Sequence, residues 1–157
     1  MPIDDAEFKT ALSHFASGVT VVTTELDGAR YGMTVAAFSS LSLHPPLVLV
    51  CIEKSVKTHD AIAAAGKFGV SILGSEQGDV SNRFASRSED KFAGVVVRSG
   101  ANGVPLIDGA ITTLECTVTE QLPGGDHTIF VGEVTACATR AGEPLLYFRS
   151  GYRELRF

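Results

Sequence analysis

Residues 32–58 constrain the fold of this chain most strongly. This stretch joins a strand of small residues, a hydroxyl-rich turn, a wholly apolar strand and a second hydroxyl-rich turn that enters a helix. Because proline has no amide donor, Pro45 and Pro46 mark the start of the apolar strand. That strand, residues 46–53, has no polar side chain before its end, which predicts burial on both faces. Two polar turns at neighbouring strand ends predict a concave site that holds an anion against an apolar wall.

Helices are predicted on either side of this stretch. Residues 5–16 carry one apolar stripe at helical spacing, with Asp4 as the N-terminal cap and Gly18 at the exit. Residues 56–65 form a second helix that ends at Gly66. Residues 75–84 form a third, capped by Ser75, with two apolar side chains inward, Val80 and Phe84.

Strands make up most of the remaining chain. An Asp27–Gly28 dipeptide predicts a hairpin between its flanking strands. Apolar and β-branched runs predict strands at residues 18–26, 30–37, 68–73, 111–119, 128–139 and 145–148. Residues 85–104 predict a long irregular excursion, which is often functional. Several short strands with two or three helices favour one domain, residues 1–157, built as a closed antiparallel barrel with added helices.

Composition and absent motifs exclude several classes of protein. A net charge of −5 without a basic block excludes binding along a nucleic-acid backbone. The longest apolar run, residues 47–52, is far shorter than the ~20 residues of a membrane helix. No GxGxxG, Walker, GxSxG or HExxH motif occurs, and the four histidines lie far apart, so no metal site is expected. Any difficult chemistry is therefore expected to come from an organic cofactor.

Cysteine usage and the N-terminal residues predict the compartment. The three cysteines form no CxxC pair, and each occurs in an apolar run, which predicts buried free thiols. Residues 1–18 are acidic and lack the basic start and apolar middle of a signal peptide. We therefore expect a cytoplasmic protein.

Two hydroxyl clusters are the candidate anion ligands. Ser39, Ser40 and Ser42 form the first; serines that satisfy a turn's backbone are the alternative explanation. Ser55 and Thr58 form the second, beside lysines and at a helix start, where plain N-capping is the alternative. Unpaired amides and the helix dipole favour an anion at such a start, so the two clusters together predict a phosphate site.

The order of these elements, with several of their residues, resembles the short-chain flavin reductases. These are the small components of two-component flavin-dependent monooxygenases, built on the FMN-binding split β-barrel. In that family, the segments matching residues 33–40 and 51–58 line the flavin ring, the ribityl chain and the phosphate. The resemblance implies flavin contacts here from Met33, Thr34, Val35, Ala36, Ser39, Ser40, Cys51, Ile52, Glu53, Ser55 and Thr58. This chain departs from the family at Ala37, where serine is frequent, and at Glu53, where an amide or aspartate is usual.

Three further segments match the family. Arg83, Phe84, Lys91 and Phe92 resemble its positions over the outer end of the flavin; a solvated basic face is the alternative. The motif Gly125-Asp126-His127 resembles one whose histidine faces the nicotinamide nucleotide; the alternative is a histidine at a turn-to-strand junction. Tyr152 resembles a tyrosine that covers the bound nucleotides, and otherwise it is a core or interface aromatic.

The resemblance implies an NAD(P)H:flavin oxidoreductase. Such an enzyme would reduce free FMN or FAD with NADH or NADPH and supply the reduced flavin to a partner oxygenase. It also implies a homodimer. Two alternatives remain at this point: a split-barrel relative with a different flavin-linked substrate, and a non-catalytic flavin-binding protein that serves as a carrier or sensor.

Overall fold

The structure, a computed structural model, describes residues 2–157. In this part of the chain there are three α-helices: α1 (Asp5–Ser13), α2 (Lys57–Ala65) and α3 (Gly78–Ala85). The first six strands are β1 (Ser17–Gly18), β2 (Thr20–Leu26), β3 (Ala29–Val35), β4 (Phe38–Ser42), β5 (Leu47–Glu53) and β6 (Lys67–Ile72). The other six are β7 (Val97–Ser99), β8 (Pro105–Ile107), β9 (Thr112–Gly124), β10 (His127–Thr139), β11 (Leu146–Phe148) and β12 (Gly151–Arg153).

The main sheet has seven antiparallel strands in the order β3-β2-β6-β9-β10-β5-β4. Its two edge strands are consecutive in the chain: β3 ends at Val35 and β4 starts at Phe38. Three Cα–Cα steps span at most about 11 Å. A flat sheet of this size would separate its edges by about 29 Å. The sheet must therefore roll until its edges meet, which confirms the predicted barrel with added helices.

Two buried clusters occupy opposite faces of β2. Val22 faces the barrel interior with Val50, Phe68 and Phe130. Its neighbour Val21 faces outward, in a second cluster that contains Phe84 of α3. Because side chains alternate along β2, its outward-facing residues pack against α3, which lies on the outside of the barrel next to β3.

The interior packing requires a glycine in β10. A Cβ at Gly132 would lie 2.5 Å from the ring of Phe68 on a neighbouring part of the barrel wall.

Ile62 of α2, fully buried, belongs to the same interior cluster. The helix therefore packs against the barrel core through its apolar side, as its sequence predicts.

The prediction that β5 is buried on both faces is wrong for the single chain. Val48, Val50 and Ile52 are buried in the barrel. The alternate residues Leu47 and Leu49 are only half-buried, because they lie on the outer face of the sheet. The all-apolar sequence of β5 therefore has one face buried in the barrel core and one face that is partly exposed in the single chain.

Helix α1 is capped as predicted but is not buried as its stripe suggests. Asp4 accepts a hydrogen bond from the amide of Glu7 at 2.8 Å. The helix ends at Ser13, and Leu12 and Phe15 are 57% and 81% exposed. The apolar stripe therefore faces away from the core of its own chain.

The predicted serine and threonine caps of the other two helices are wrong. The N-cap positions of α2 and α3 are Val56 and Gln77, and neither makes a side-chain capping bond. Ser55 donates instead to a carboxylate oxygen of Glu53 at 2.9 Å. Gly66 does end α2, in a left-handed conformation with φ of 69°.

Several strands were not predicted. The hydroxyl-rich turn around Ser39 and Ser40 is the edge strand β4, paired with β5. Within the predicted excursion, residues 97–99 form β7, which pairs with β8 just beyond the excursion, and β12 follows β11 after a tight turn. Each is a short strand without an alternating apolar pattern, so local sequence gave no strand signal.

The three thiols are free and differ in their burial. Cys116 is fully buried, and desolvation raises its pKa to about 12. Cys51 is half-buried, whereas Cys137 is exposed, so the prediction of a buried thiol is wrong for Cys137. Within residues 2–157, no helix combines the length and the apolar character needed to cross a membrane.

Candidate functional site

A cleft of about 1080 Å³ lies between β3, the start of α2 and the segment that follows α3. It is lined by residues 29–34, 53, 55–58, 84–89, 91 and 92. Ligand pockets are commonly ~300–1,000 Å³, so the cleft has room for a molecule of nucleotide size. Three segments far apart in the sequence meet there.

The β3 wall of the cleft is fixed against α3. Thr34 donates its hydroxyl to the carbonyl of Ser81 at 2.6 Å. A Cβ at Gly32 would lie 2.9 Å from the ring of Phe84, so only glycine allows this approach of strand and helix. Met33 is half-buried beside them and contributes an apolar surface to the same wall.

The second wall is the start of α2. Val56, Lys57 and Thr58 line the cleft there, next to the Ser55–Glu53 hydrogen bond. The first amides of a helix lack helical partners, and the dipole at this end favours negative charge. The arrangement therefore suits an anion, as the sequence predicts, although the serine is not a helix cap.

The third wall follows α3. The rings of Phe84 and Phe92 pack edge to face with centroids 5.0 Å apart. The Lys91 ammonium donates to the carbonyls of Gly32 at 3.2 Å and Phe84 at 3.1 Å. Burial without a carboxylate partner lowers the Lys91 pKa.

Positive charge predominates around the cleft. The lining contains four cationic side chains and two carboxylates, although the whole chain has a net charge of −5. The cations are Arg30, Lys57, Arg87 and Lys91, and the carboxylates are Glu53 and Glu89. This local excess favours a phosphate-bearing ligand.

The lining fits a flavin nucleotide. Met33, Val56 and Phe92 supply apolar surface for a flat ring system, and the cations and the α2 start supply partners for phosphate. Within residues 2–157, no group of three or more His, Cys, Asp or Glu side chains could hold a metal ion. The residues thus match an organic, anionic group.

His127 lies at a turn-to-strand junction, as the first residue of β10. Its Nδ1 lies 2.7 Å from a carboxylate oxygen of Asp126, and this hydrogen bond lowers the Asp126 pKa. The carbonyl of Asp126 also accepts from the amide of Lys54 at 2.9 Å. This turn is thereby joined to the segment that enters α2.

The structure brings some of the predicted flavin contacts together. Those that line the cleft are Met33, Thr34, Glu53, Ser55, Thr58, Phe84 and Lys91. Those that do not line it are Val35, Ala36, Ser39, Ser40, Cys51, Ile52, Arg83, His127 and Tyr152. Val35 and Ile52 are buried in the barrel core, and their contact with a flavin stays a prediction.

Tyr152 and Arg83 make specific contacts away from the cleft lining. The Tyr152 hydroxyl lies 2.7 Å from both Ser81 Oγ and Asn82 Oδ1 on α3. The Arg83 guanidinium donates to two backbone carbonyls beyond the helix, those of Asp90 and Lys91. Both side chains hold protein segments in place.

Sequence reasoning missed several lining residues, among them Arg30, Tyr31 and Arg87. Tyr31 lies two positions before Met33 in β3, so strand alternation places both on one face. That signal could have identified Tyr31. Nothing local indicates Arg87, because its place depends on how the segment after α3 folds back.

Comparisons with known proteins show the family of this chain. The chain matches the model of the flavin reductase like domain over residues 12–156. It is 44% identical over 151 residues to the reductase component of a 4-nitrophenol 4-monooxygenase/4-nitrocatechol 2-monooxygenase from Rhodococcus opacus, covering 96% of this chain and 81% of that one. It is 43% identical to an NADH-dependent flavin reductase from a Rhodococcus species, covering 94% and 84%.

A solved structure gives the same result. The NADH:FAD oxidoreductase of Streptomyces globisporus, in complex with NAD and FAD fragments, superposes with a TM-score of 0.94 at 38% identity. The match covers 98% of this chain and 93% of that one. The barrel is thus the flavin reductase split barrel. This chain belongs to the flavin reductase-like family.

Proposed function

We propose that this chain uses NADH to reduce free FMN or FAD and supplies the reduced flavin to a separate monooxygenase component. The observation that carries the proposal is the cationic cleft, formed from three distant segments in a chain that matches flavin reductases over nearly its whole length. The choice of NADH and of an oxygenase partner rests on the names of the relatives given above. The free cysteines fit the reducing, cytoplasmic setting expected from the sequence.

The chemistry requires little from the protein beyond placement. When both nucleotides are bound, the nicotinamide supplies the hydride and the flavin ring accepts it. The side chains hold the two rings together in one relative orientation, so proximity and orientation account for catalysis. The absence of an acid–base dyad among the cleft residues is consistent with this division.

The cleft walls have separate roles in this proposal. Met33 and Phe92 face the flavin ring, and the start of α2 with Ser55 and Lys57 binds its phosphate. His127 orients the nicotinamide nucleotide from the β10 side. The remaining predicted contacts, which lie outside the cleft lining of a single chain, stay predictions.

A second copy of the chain is the proposed partner of the open apolar surfaces. Leu12 of α1 and Phe15 just after it are exposed, and Leu47 and Leu49 on the outer face of β5 are half-buried. Exposed apolar surface of this kind marks an association site. A homodimer would cover it and would complete the burial that the sequence of β5 predicts.

The test is a steady-state assay with purified protein. NADH and NADPH are each combined with riboflavin, FMN and FAD, and nicotinamide oxidation is followed. Saturable oxidation of NADH that depends on added flavin supports the proposal. Tight flavin binding without oxidation of either nicotinamide nucleotide would support the carrier or sensor instead.

A further inference from the structure

The loop of residues 86–91, here called the wall loop, forms much of the third wall of the cleft. Ser86, Arg87, Ser88, Glu89 and Lys91 all line it. The loop begins directly after α3 and has no regular secondary structure. Its shape therefore depends on side-chain hydrogen bonds, and these can be traced individually.

Arg83 fixes the far end of the wall loop. From the last turn of α3, its Nε donates to the carbonyl of Lys91 at 2.8 Å and its Nη2 to the carbonyl of Asp90 at 3.2 Å. A planar guanidinium with fixed donors is suited to two neighbouring acceptors. Arg83 itself is exposed and does not line the cleft.

Lys91 depends on that placement. Once its backbone is held by Arg83, its ammonium reaches back to the carbonyls of Phe84 and Gly32. Phe84 lies in the last turn of α3, where carbonyls lack helical partners and a cation is favoured. Arg83 and Lys91 thus form reciprocal clamps between α3, the wall loop and β3.

Bonds inside the wall loop are local. The Ser86 hydroxyl donates to the carbonyl of Arg83 at 2.6 Å and accepts from the amide of Ser88 at 3.3 Å. The Ser88 hydroxyl accepts from the amide of Asp90 at 3.3 Å. These bonds shape the loop but do not tie its far end to α3, which is what Arg83 does.

We propose that Arg83 is a positioning residue: it holds the wall loop over the cleft and sets flavin affinity without touching the flavin. This inference rests on the proposed function, because it takes the cleft as the flavin site. It differs from the role that the family resemblance implies for Arg83, which is direct contact with the flavin. The two roles differ in the unliganded protein, where only a positioning role affects the loop.

The first measurement is amide hydrogen exchange in Arg83→Gln without any ligand. We expect faster exchange across the wall loop, with exchange elsewhere and thermal stability retained because Arg83 is exposed. Arg83→Lys keeps the charge but cannot serve both carbonyls in a fork, so an intermediate effect is expected. Arg153→Gln is the matched control, since Arg153 is exposed and donates only to the neighbouring Tyr152 carbonyl among the described contacts.

The second measurement is flavin binding, by fluorescence titration, and turnover at saturating flavin. In Arg83→Gln we expect FMN or FAD affinity to fall about tenfold while kcat is retained, with Arg153→Gln unchanged. Unchanged loop exchange, or faster exchange with unchanged affinity, would overturn the inference. If the wild-type protein oxidises no NADH, the proposed function fails, whereas exchange and flavin titration still decide the role of Arg83.

Discussion

His127 and Glu53 lie directly opposite each other as Cα partners at the end of the β5–β10 ladder. Directly opposed residues of an antiparallel pair project from the same face, with Cβ atoms about 4.5–5.5 Å apart. Glu53 is also bonded to Ser55 at the cleft, and His127 to Asp126. The ladder thus joins the proposed nicotinamide residue to the proposed flavin wall.

Replacing His127 tests its proposed role. We expect His127→Ala to raise the apparent KM for NADH, or to lower kcat, by about tenfold, equivalent to about 1.4 kcal/mol. Flavin affinity should change little, because His127 does not line the cleft. Steady-state kinetics and flavin titration provide the two measurements. His14→Ala, on the exposed end of α1, is the control, and parallel loss of flavin and NADH binding would show that His127 supports the fold.

Removing the Ser55 hydroxyl tests the phosphate site. A hydrogen bond to a charged group contributes about 1.5–3 kcal/mol, so Ser55→Ala should weaken FMN binding about tenfold or more. Riboflavin, which lacks the phosphate, should bind nearly as before. The substitution removes no helix cap, since Ser55 does not cap α2, but it does remove the Ser55–Glu53 hydrogen bond. Ser99→Ala on β7 is the control, and equal losses for FMN and riboflavin would place the phosphate elsewhere.

A charge placed in the exposed apolar stripe at α1 tests the proposed dimer. We expect wild-type protein to be a dimer by light scattering at micromolar concentration. Phe15→Glu puts a charge on the most exposed large apolar side chain of the stripe and should shift the protein toward monomer. Thr10→Glu, also exposed on α1, should leave the dimer intact. An active wild-type monomer would contradict the proposed dimer.

The turn between β11 and β12 contains backbone strain that a glycine would relieve. Arg149 and Ser150 have φ of 50° and 59°, in the left-handed region that favours glycine. Ser150→Gly should therefore raise the free energy of unfolding by about 1 kcal/mol, measured by urea denaturation. Ser99→Gly, in strand β7, should instead lower it by about 0.5–1 kcal/mol. If both substitutions destabilise equally, the turn is not strained.

Local chemistry predicted much of this fold. The Asp27–Gly28 dipeptide predicts a two-residue hairpin turn, and both residues do have positive φ between paired Leu26 and Ala29. The cap at Asp4 and the helix end at Gly66 follow equally local rules. In each case, the residue and the feature it determines lie within a few positions of each other.

Non-local contacts account for what the sequence did not predict. Ser39 and Ser40 form a strand because β5 pairs with them, not because of their own pattern. Arg83 resembles a flavin contact in sequence, yet its partners lie seven and eight residues away, where the chain folds back. The cleft combines residues from three segments, and only the closed barrel brings them together.

The most direct test of the proposed function is an anaerobic reaction of NADH with excess free flavin and catalytic amounts of protein. We expect one NADH to be oxidised for each flavin reduced, over many turnovers, with the reduced flavin recovered in the protein-free filtrate. That result shows both reduction and release. Two results would contradict a reductase that supplies another enzyme. The flavin could stay oxidised, or a single equivalent of reduced flavin could form and remain bound to the protein.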